Sequence, residues 1–177
     1  MRGRKIKMID LDAVSSLRVE MVNVSKHIFA RGLTLAACGN LSARVPGCPQ
    51  QILIKVSGKC LGEATPEDFI LVNLEGNILA GSGNLSMEAG FHLGIYKIRP
   101  EVQAIVHGHS PYATAYVTAK GELPVVTAAA EAGFSKVGVV EYAAPGSVEL
   151  AEMVIAAFQD QSLQAVVLKR HGFITVG

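Results

Sequence analysis

Long apolar runs are missing from this sequence. No stretch of the 177 residues approaches the ~18 consecutive apolar side chains that a membrane span requires. Charge is scarce too, at 18% of residues, and nearly balanced: 16 basic against 15 acidic side chains, net +1. That balance gives no global electrostatic reason to expect nucleic acid or an anionic membrane as a partner. The 3 cysteines, Cys38, Cys48 and Cys60, show no CxxC spacing. This argues against a disulfide framework or a cysteine zinc knuckle and fits a reducing cytoplasm. The start, MRGRKIKMID, is basic but leads into no apolar h-region, so it does not read as a secretory signal. Internal repeats, low-complexity tracts and Ser/Pro linkers are absent, and one domain over residues 1–177 is expected.

What is plentiful is apolar surface. Half of the residues are hydrophobic, which excludes a disordered chain. The mean hydropathy of +0.35 leaves a surplus that points to a subunit interface and hence an oligomer. Leu17, Met21, Val24, Ile28 and Phe29 recur at helical spacing and predict an amphipathic helix over about 11–31, capped by Asp10 or Asp12 and ended by Gly32. Strands are expected after the turn at 38–40, at 51–56, at 69–74, at 102–106, at 125–127, at 137–140, at 165–168 and at 173–176. Ser86 reads as the N-cap of a helix reaching Ile98, Pro111 opens a second helix, and Ser147–Phe158 forms a third. Interleaved strands and helices predict an α/β fold. Several connections are too short for a helical crossover, so the sheet is mixed rather than purely parallel.

Chemistry concentrates at a few positions. His107 and His109 lie two apart at the end of an apolar run, and residues two apart on a strand share a face. Their imidazoles can converge on one ion, and His171, closing another apolar run, is the natural third ligand of a zinc site with an open position. Plain surface histidines are the other reading. Glu88 is either a helix-stabilising carboxylate or a general acid/base beside the metal. His92, four residues on, reads as a packing or supporting residue, and His27 as solvated. Gly39-Asn40, Ser57-Gly58 and Ser86 could cradle an anion, although such turns are commonly structural. Lys55 and Lys59 add positive charge nearby, with solvation the ordinary outcome for a lysine.

In order along the chain, GNLSAR (39–44), ILIKVSG (52–58), TPEDFILVNLEGN (65–77), LSMEAGFHLGIYKIRPEVQAIVHGHSPYATA (85–115), EYAAPGSVELAE (141–152) and LKRHG (168–172) resemble the class II aldolase/adducin family. The resemblance implies a largely antiparallel mixed β-sheet between helices, a three-layer αβα arrangement, assembled as a cytoplasmic homotetramer with sites at subunit boundaries. It implies His107, His109 and His171 as zinc ligands, with Co²⁺ or Mn²⁺ as other suitable ions. It implies Glu88 as catalytic acid/base, and Asn40, Ser57, Gly58 and Ser86 as holders of the substrate phosphate. Tyr112 falls within a segment common in the family, with no role assigned. Departures are Lys55-Val56 where Thr-Pro is frequent, and Met87 where a second serine is frequent. The C-terminal helices usual in the family, and any proton donor on a tail, would follow the position where this chain stops.

The activity so implied is zinc-dependent aldehyde-lyase chemistry. A small ketose 1-phosphate of the L-fuculose 1-phosphate type would be cleaved to dihydroxyacetone phosphate and a short aldehyde such as lactaldehyde. Methylthioribulose-1-phosphate dehydratases and pentulose-phosphate 4-epimerases are similar, the latter typically with Asp in place of Glu88. A non-catalytic, adducin-like interaction module ranks below these, because it has no need of a metal triad.

Overall fold

The computed structural model describes residues 10–133 and 136–177; the first nine residues of the basic start lie outside these. Helix α1 (Leu11–Ala30) is capped by Asp10, whose carboxylate accepts from the Ala13 N–H at 3.1 Å. Strands β1 (Asn40–Val45), β2 (Cys48–Lys55), β3 (Phe69–Asn73) and β4 (Ile78–Ala80) form successive antiparallel pairs. Helix α2 (Ala89–Ile98), strand β5 (Ala104–Gly108) and helices α3 (Pro111–Lys120) and α4 (Ala128–Gly133) follow. Strand β6 (Gly138–Val140), helix α5 (Val148–Ala157) and strands β7 (Ala165–Leu168) and β8 (Gly172–Val176) complete the described chain.

The eight strands among the described residues share one sheet in the order β4-β3-β2-β1-β5-β8-β7-β6. Among the described pairings only β6 with β7 is parallel, so the sheet is mixed and largely antiparallel. Strand alternation then sorts the core into two layers. Ile52, Ile54, Ile70 and Val72 face α2 and α5, packing with Phe91, Ile95, Leu150 and Val154. Leu53, Leu71, Leu41 and Ala43 face the opposite way, against Val14, Met21 and Ile28 of α1. Helices thus cover both faces, and none among the described residues is long and apolar enough to cross a membrane.

The structure departs from the sequence reading in several places: β4 and α4 are not among the expected elements, β5 lies two residues later than the run at 102–106, and three further differences have clear causes. Residues 125–127 form no strand: Val126 is exposed, and Thr127 instead accepts from the Ala130 N–H to start α4. Ser86 does not cap α2. Its Oγ accepts from the Glu88 N–H two residues on, at 3.3 Å, and its carbonyl from Ala89, so residues 86–88 make a turn and Glu88 occupies the N-cap. On α1 the buried stripe runs through Val14, Met21, Val22, Ser25 and Ile28, leaving Val24 and Phe29 outside it.

Candidate active site

The register of β1 and β5 sets the site. Asn40 is paired with His107 at the end of the sheet, so both side chains rise on the face covered by α2. His107 is fully buried, and its Nδ1–H donates to the Phe173 carbonyl of β8 at 2.9 Å. His109 lies just past β5, its backbone N–H anchored on the Leu33 carbonyl at 2.6 Å. His171 sits in the tight β7–β8 connection. There Arg170 holds a left-handed backbone, φ +58°, with its N–H on Thr118 Oγ1 and its guanidinium 4.3 Å from the Tyr142 ring. The two histidine-bearing segments pass so closely that a Cβ on Gly172 would lie 2.3 Å from the Gly108 carbonyl oxygen and 2.6 Å from the His109 ring.

The three imidazoles converge. Ring centroids are 4.8 Å apart for His107 and His109, 4.9 Å for His107 and His171, and 5.3 Å for His109 and His171. One nitrogen from each lies within 4.8 Å of the others. Glu88, at the start of α2, reaches into the cluster, with Oε2 3.2 Å from His107 Nε2 and Oε1 3.2 Å from His171 Nε2. Asn40 Nδ2 donates to Glu88 Oε2 at 2.8 Å and to Ser86 Oγ at 3.2 Å.

The most buried members of the cluster, Glu88 and His107, bring no positive charge of their own. Burial alone would raise the Glu88 pKa, but His171, His107 and Asn40 outweigh it and hold the carboxyl down at about 2, so it is ionised near neutrality. Burial pushes His107 down to about 4, despite the pull of Glu88, and it lowers His109 as well, helped by His171. Because Nδ1 of His107 spends its proton on Phe173, its Nε2 is a bare lone pair. That lone pair faces Glu88 Oε2 at 3.2 Å and His109 Nε2 at 2.9 Å. Nδ1 of His171 is buried without a partner. Electron-rich atoms gathered in this way are what a cation stabilises, and tetrahedral zinc with ligands at ~2.0–2.1 Å needs its nitrogens roughly 3.4 Å apart. The donor set therefore fits a divalent ion of the zinc kind.

Beside the cluster opens a cleft of about 440 Å³. Its wall includes Asn40, Ser57, Gly58, Ser86, Glu88, His109 and His171, so the structure gathers these sequence-selected residues around one space. Lys59 is solvated, 3.5 Å from Asp68. Lys55 is not: it is 2% exposed, lines the cleft, and gives one hydrogen bond to the Gly39 carbonyl at 3.3 Å. Burial lowers its pKa, against the pull of Cys60 and Asp68. Strand alternation carries the signal for this, because Lys55 follows Leu53 on the face that α1 covers. Cys38 lines the cleft mouth, Cys48 is core and Cys60 is half-buried. Tyr112 and His27 lie exposed, away from the cluster. The sequence reading missed Ser42 and Tyr96 altogether; Tyr96 at four residues from His92 was the available clue, since the two share a helix face.

Residues 19–177 match the family described as the Class II Aldolase and Adducin N-terminal domain. An L-fuculose phosphate aldolase of Methanococcus maripaludis is 34% identical over 158 residues, covering 89% of this chain and 83% of that protein. A 3-oxo-tetronate 4-phosphate decarboxylase of Haemophilus influenzae is 33% identical over 164 residues, covering 89% and 75%. Among solved structures, an L-fuculose 1-phosphate aldolase superposes with a TM-score of 0.82 at 31% identity, over 92% of this chain and 76% of that one. With the matched stretch holding every strand among the described residues, the histidine cluster and Glu88, the chain belongs to the class II aldolase and adducin N-terminal domain family.

Proposed function

We propose that this protein is a metal-dependent aldolase that cleaves a ketose 1-phosphate of the L-fuculose 1-phosphate type to dihydroxyacetone phosphate and a short aldehyde such as lactaldehyde. The convergence of His107, His109 and His171 on one point, with ionised Glu88 against it at the head of the cleft, carries this reading. His107, His109 and His171 would hold a zinc ion, or Co²⁺ or Mn²⁺. Such an ion supplies positive charge where negative charge builds on the donor half as the C3–C4 bond breaks.

The chain's own groups do the rest. The Ser57-Gly58 turn offers the Gly58 N–H and the Ser57 hydroxyl, the Ser57 N–H being taken by the Asn84 carbonyl, and Ser86 offers a second hydroxyl; Asn40, whose amide N–H₂ rests on Glu88 and Ser86, would turn a hydrogen to the phosphate. Lys55, with little else to bond, adds a cation to that wall and supports an anionic substrate. Met87 lines the same cleft and brings only its backbone N–H. Glu88 starts ionised. In the cleavage direction it takes the proton released as the 4-hydroxyl becomes the aldehyde carbonyl, then delivers a proton to C3 of the donor half. In the condensation direction it removes that C3 proton.

The protein is further proposed to assemble as a homotetramer. Exposed Tyr112, Tyr116 and Val126, at 88%, 44% and 76%, support a covered face there.

A panel of phosphorylated substrates with added Zn²⁺, Co²⁺ or Mn²⁺ tests the activity. Release of dihydroxyacetone phosphate from L-fuculose 1-phosphate is expected. Carbon dioxide from 3-oxo-tetronate 4-phosphate would make it a decarboxylase instead. Water loss without chain cleavage would make it a dehydratase, and epimerised pentulose phosphate an epimerase. Absence of both bound metal and turnover would leave an interaction module.

A further inference from the structure

Behind Glu88 a file of polar side chains runs into the core. Asn40, Ser42, His92 and Tyr96 are at most 4% exposed. Asn40 Oδ1 lies 2.5 Å from His92 Nε2, His92 Nδ1 lies 2.7 Å from Ser42 Oγ, and Ser42 Oγ lies 3.0 Å from the Tyr96 hydroxyl. Both faces of the imidazole are thus spoken for, and one bond per nitrogen is the most that a neutral ring can make.

The direction of every proton in this file follows from one end. The Asn40 Nδ2 is the group that meets Glu88 Oε2, at 2.8 Å, and Ser86 Oγ, at 3.2 Å, and an amide nitrogen only donates. The Asn40 oxygen therefore faces His92, and His92 Nε2 carries the proton. His92 is fully buried and its two nitrogens meet only the uncharged Asn40 and Ser42, so its ring is neutral and Nδ1 is bare. Ser42 must donate to that bare nitrogen. With its one proton committed, its oxygen accepts from Tyr96, whose phenol burial raises well above its ordinary range and so keeps protonated. Each donor points from the core toward the cleft.

We propose that His92, backed by Ser42 and Tyr96, is a positioning residue that locks the polarity of the Asn40 amide, keeping its N–H groups toward Glu88 and Ser86. An amide's two ends are nearly equal in shape, so packing alone does not choose between them. A flipped Asn40 would set its oxygen against Glu88 Oε2, acceptor against acceptor, and would withdraw donors from the cleft. The geometry stands whatever the substrate; its kinetic consequence rests on the aldolase reading above.

Nitrogen-15 spectra of histidine-labelled protein test the lock directly. His92 is expected as the neutral, Nε2-protonated tautomer across the neutral range, and Ser42→Ala, which removes the donor to Nδ1, is expected to introduce the other tautomer. A charged or Nδ1-protonated His92 in the unaltered protein would overturn the proposal, as would an unchanged tautomer in Ser42→Ala. Kinetics supply the second arm. His92→Phe fills the space without hydrogen bonds, whereas His92→Gln keeps one donor and one acceptor. On L-fuculose 1-phosphate, His92→Phe is expected to lower kcat roughly tenfold to a hundredfold, in the range set by small misplacements of a catalytic group, with bound metal retained and KM little changed. His92→Gln should recover most of the loss. Equal rates for the two variants would overturn the lock. If the unaltered protein cleaves no ketose phosphate, the aldolase reading falls, and the tautomer measurement decides the lock alone.

Discussion

Glu88 carries opposing demands: it is nearly buried, yet it must stay charged beside two imidazoles. Removing only its charge separates its roles. Glu88→Gln is expected to keep bound metal, measured by elemental analysis, while turnover falls about 10²–10⁴-fold, the usual share of a general acid/base. The shifted groups also set the response to acid. For His92 the folded value of about 3 lies below the ordinary 6.5. As pH falls through 6.5 the unfolded chain binds a proton that the folded one refuses, so stability is lost from there down to about 3. The Glu88 contribution is complete above its ordinary 4.5 and disappears as pH falls through about 2. Both act in the same direction. Urea midpoints of chelator-treated protein should therefore decline below about pH 6.5, with a slope approaching about 1.4 kcal/mol per pH unit for each such histidine. His92→Gln should flatten that slope by close to one proton. The histidines and Glu88 were legible in the sequence because strand ends and turns advertise them. The burial of Lys55 and the Ser42–Tyr96 file had only the hints of strand alternation and helix spacing, which become definite once the neighbour covering that strand face is known.

Helices α2 and α5 pack side by side over the sheet, and Gly94 makes their approach possible. A Cβ there would meet Ile155 Cδ1 at 2.1 Å and Cγ1 at 2.6 Å. Alanine favours a helix over glycine by about 0.8–1.0 kcal/mol, whereas overpacking costs about 1–3 kcal/mol, so the clash wins. Gly94→Ala is expected to lower the denaturation midpoint, and adding Ile155→Val should restore part of the loss. Periodicity located α1, Pro111 marked where α3 opens, and the reading of 147–158 matches α5 to within a residue; Asp10, Ser110 and Ser147 each cap these helices through their side chains. The reading failed at Ser86, where the same hydroxyl chemistry closes a turn two residues long and hands the helix start to Glu88. It failed again at 125–127, where β propensity found no strand with which to pair.

At the scale of the molecule, the histidine cluster ties the end of β5 to the β7–β8 connection, two pieces far apart in sequence. An ion held only by the folded arrangement stabilises it by mass action, by about 4 kcal/mol at a thousandfold excess over Kd. Chelation is thus expected to lower Tm and Zn²⁺ to restore it, read by calorimetry; a Tm indifferent to both would refute the ligand assignment. The fold class was legible from short connections between strands and helices, but strand order was not. Nothing local in the sequence announces that β8, which follows every other strand, lies between β5 and β7. That placement has a consequence for synthesis. As the chain leaves the ribosome, the half of the sheet through β5 and the later β6–β7 pair emerge with an empty lane between them. Only when β8 slides into that lane do His107 and His171 meet, so the histidine cluster and the joining of the two sheet halves are born in the same event.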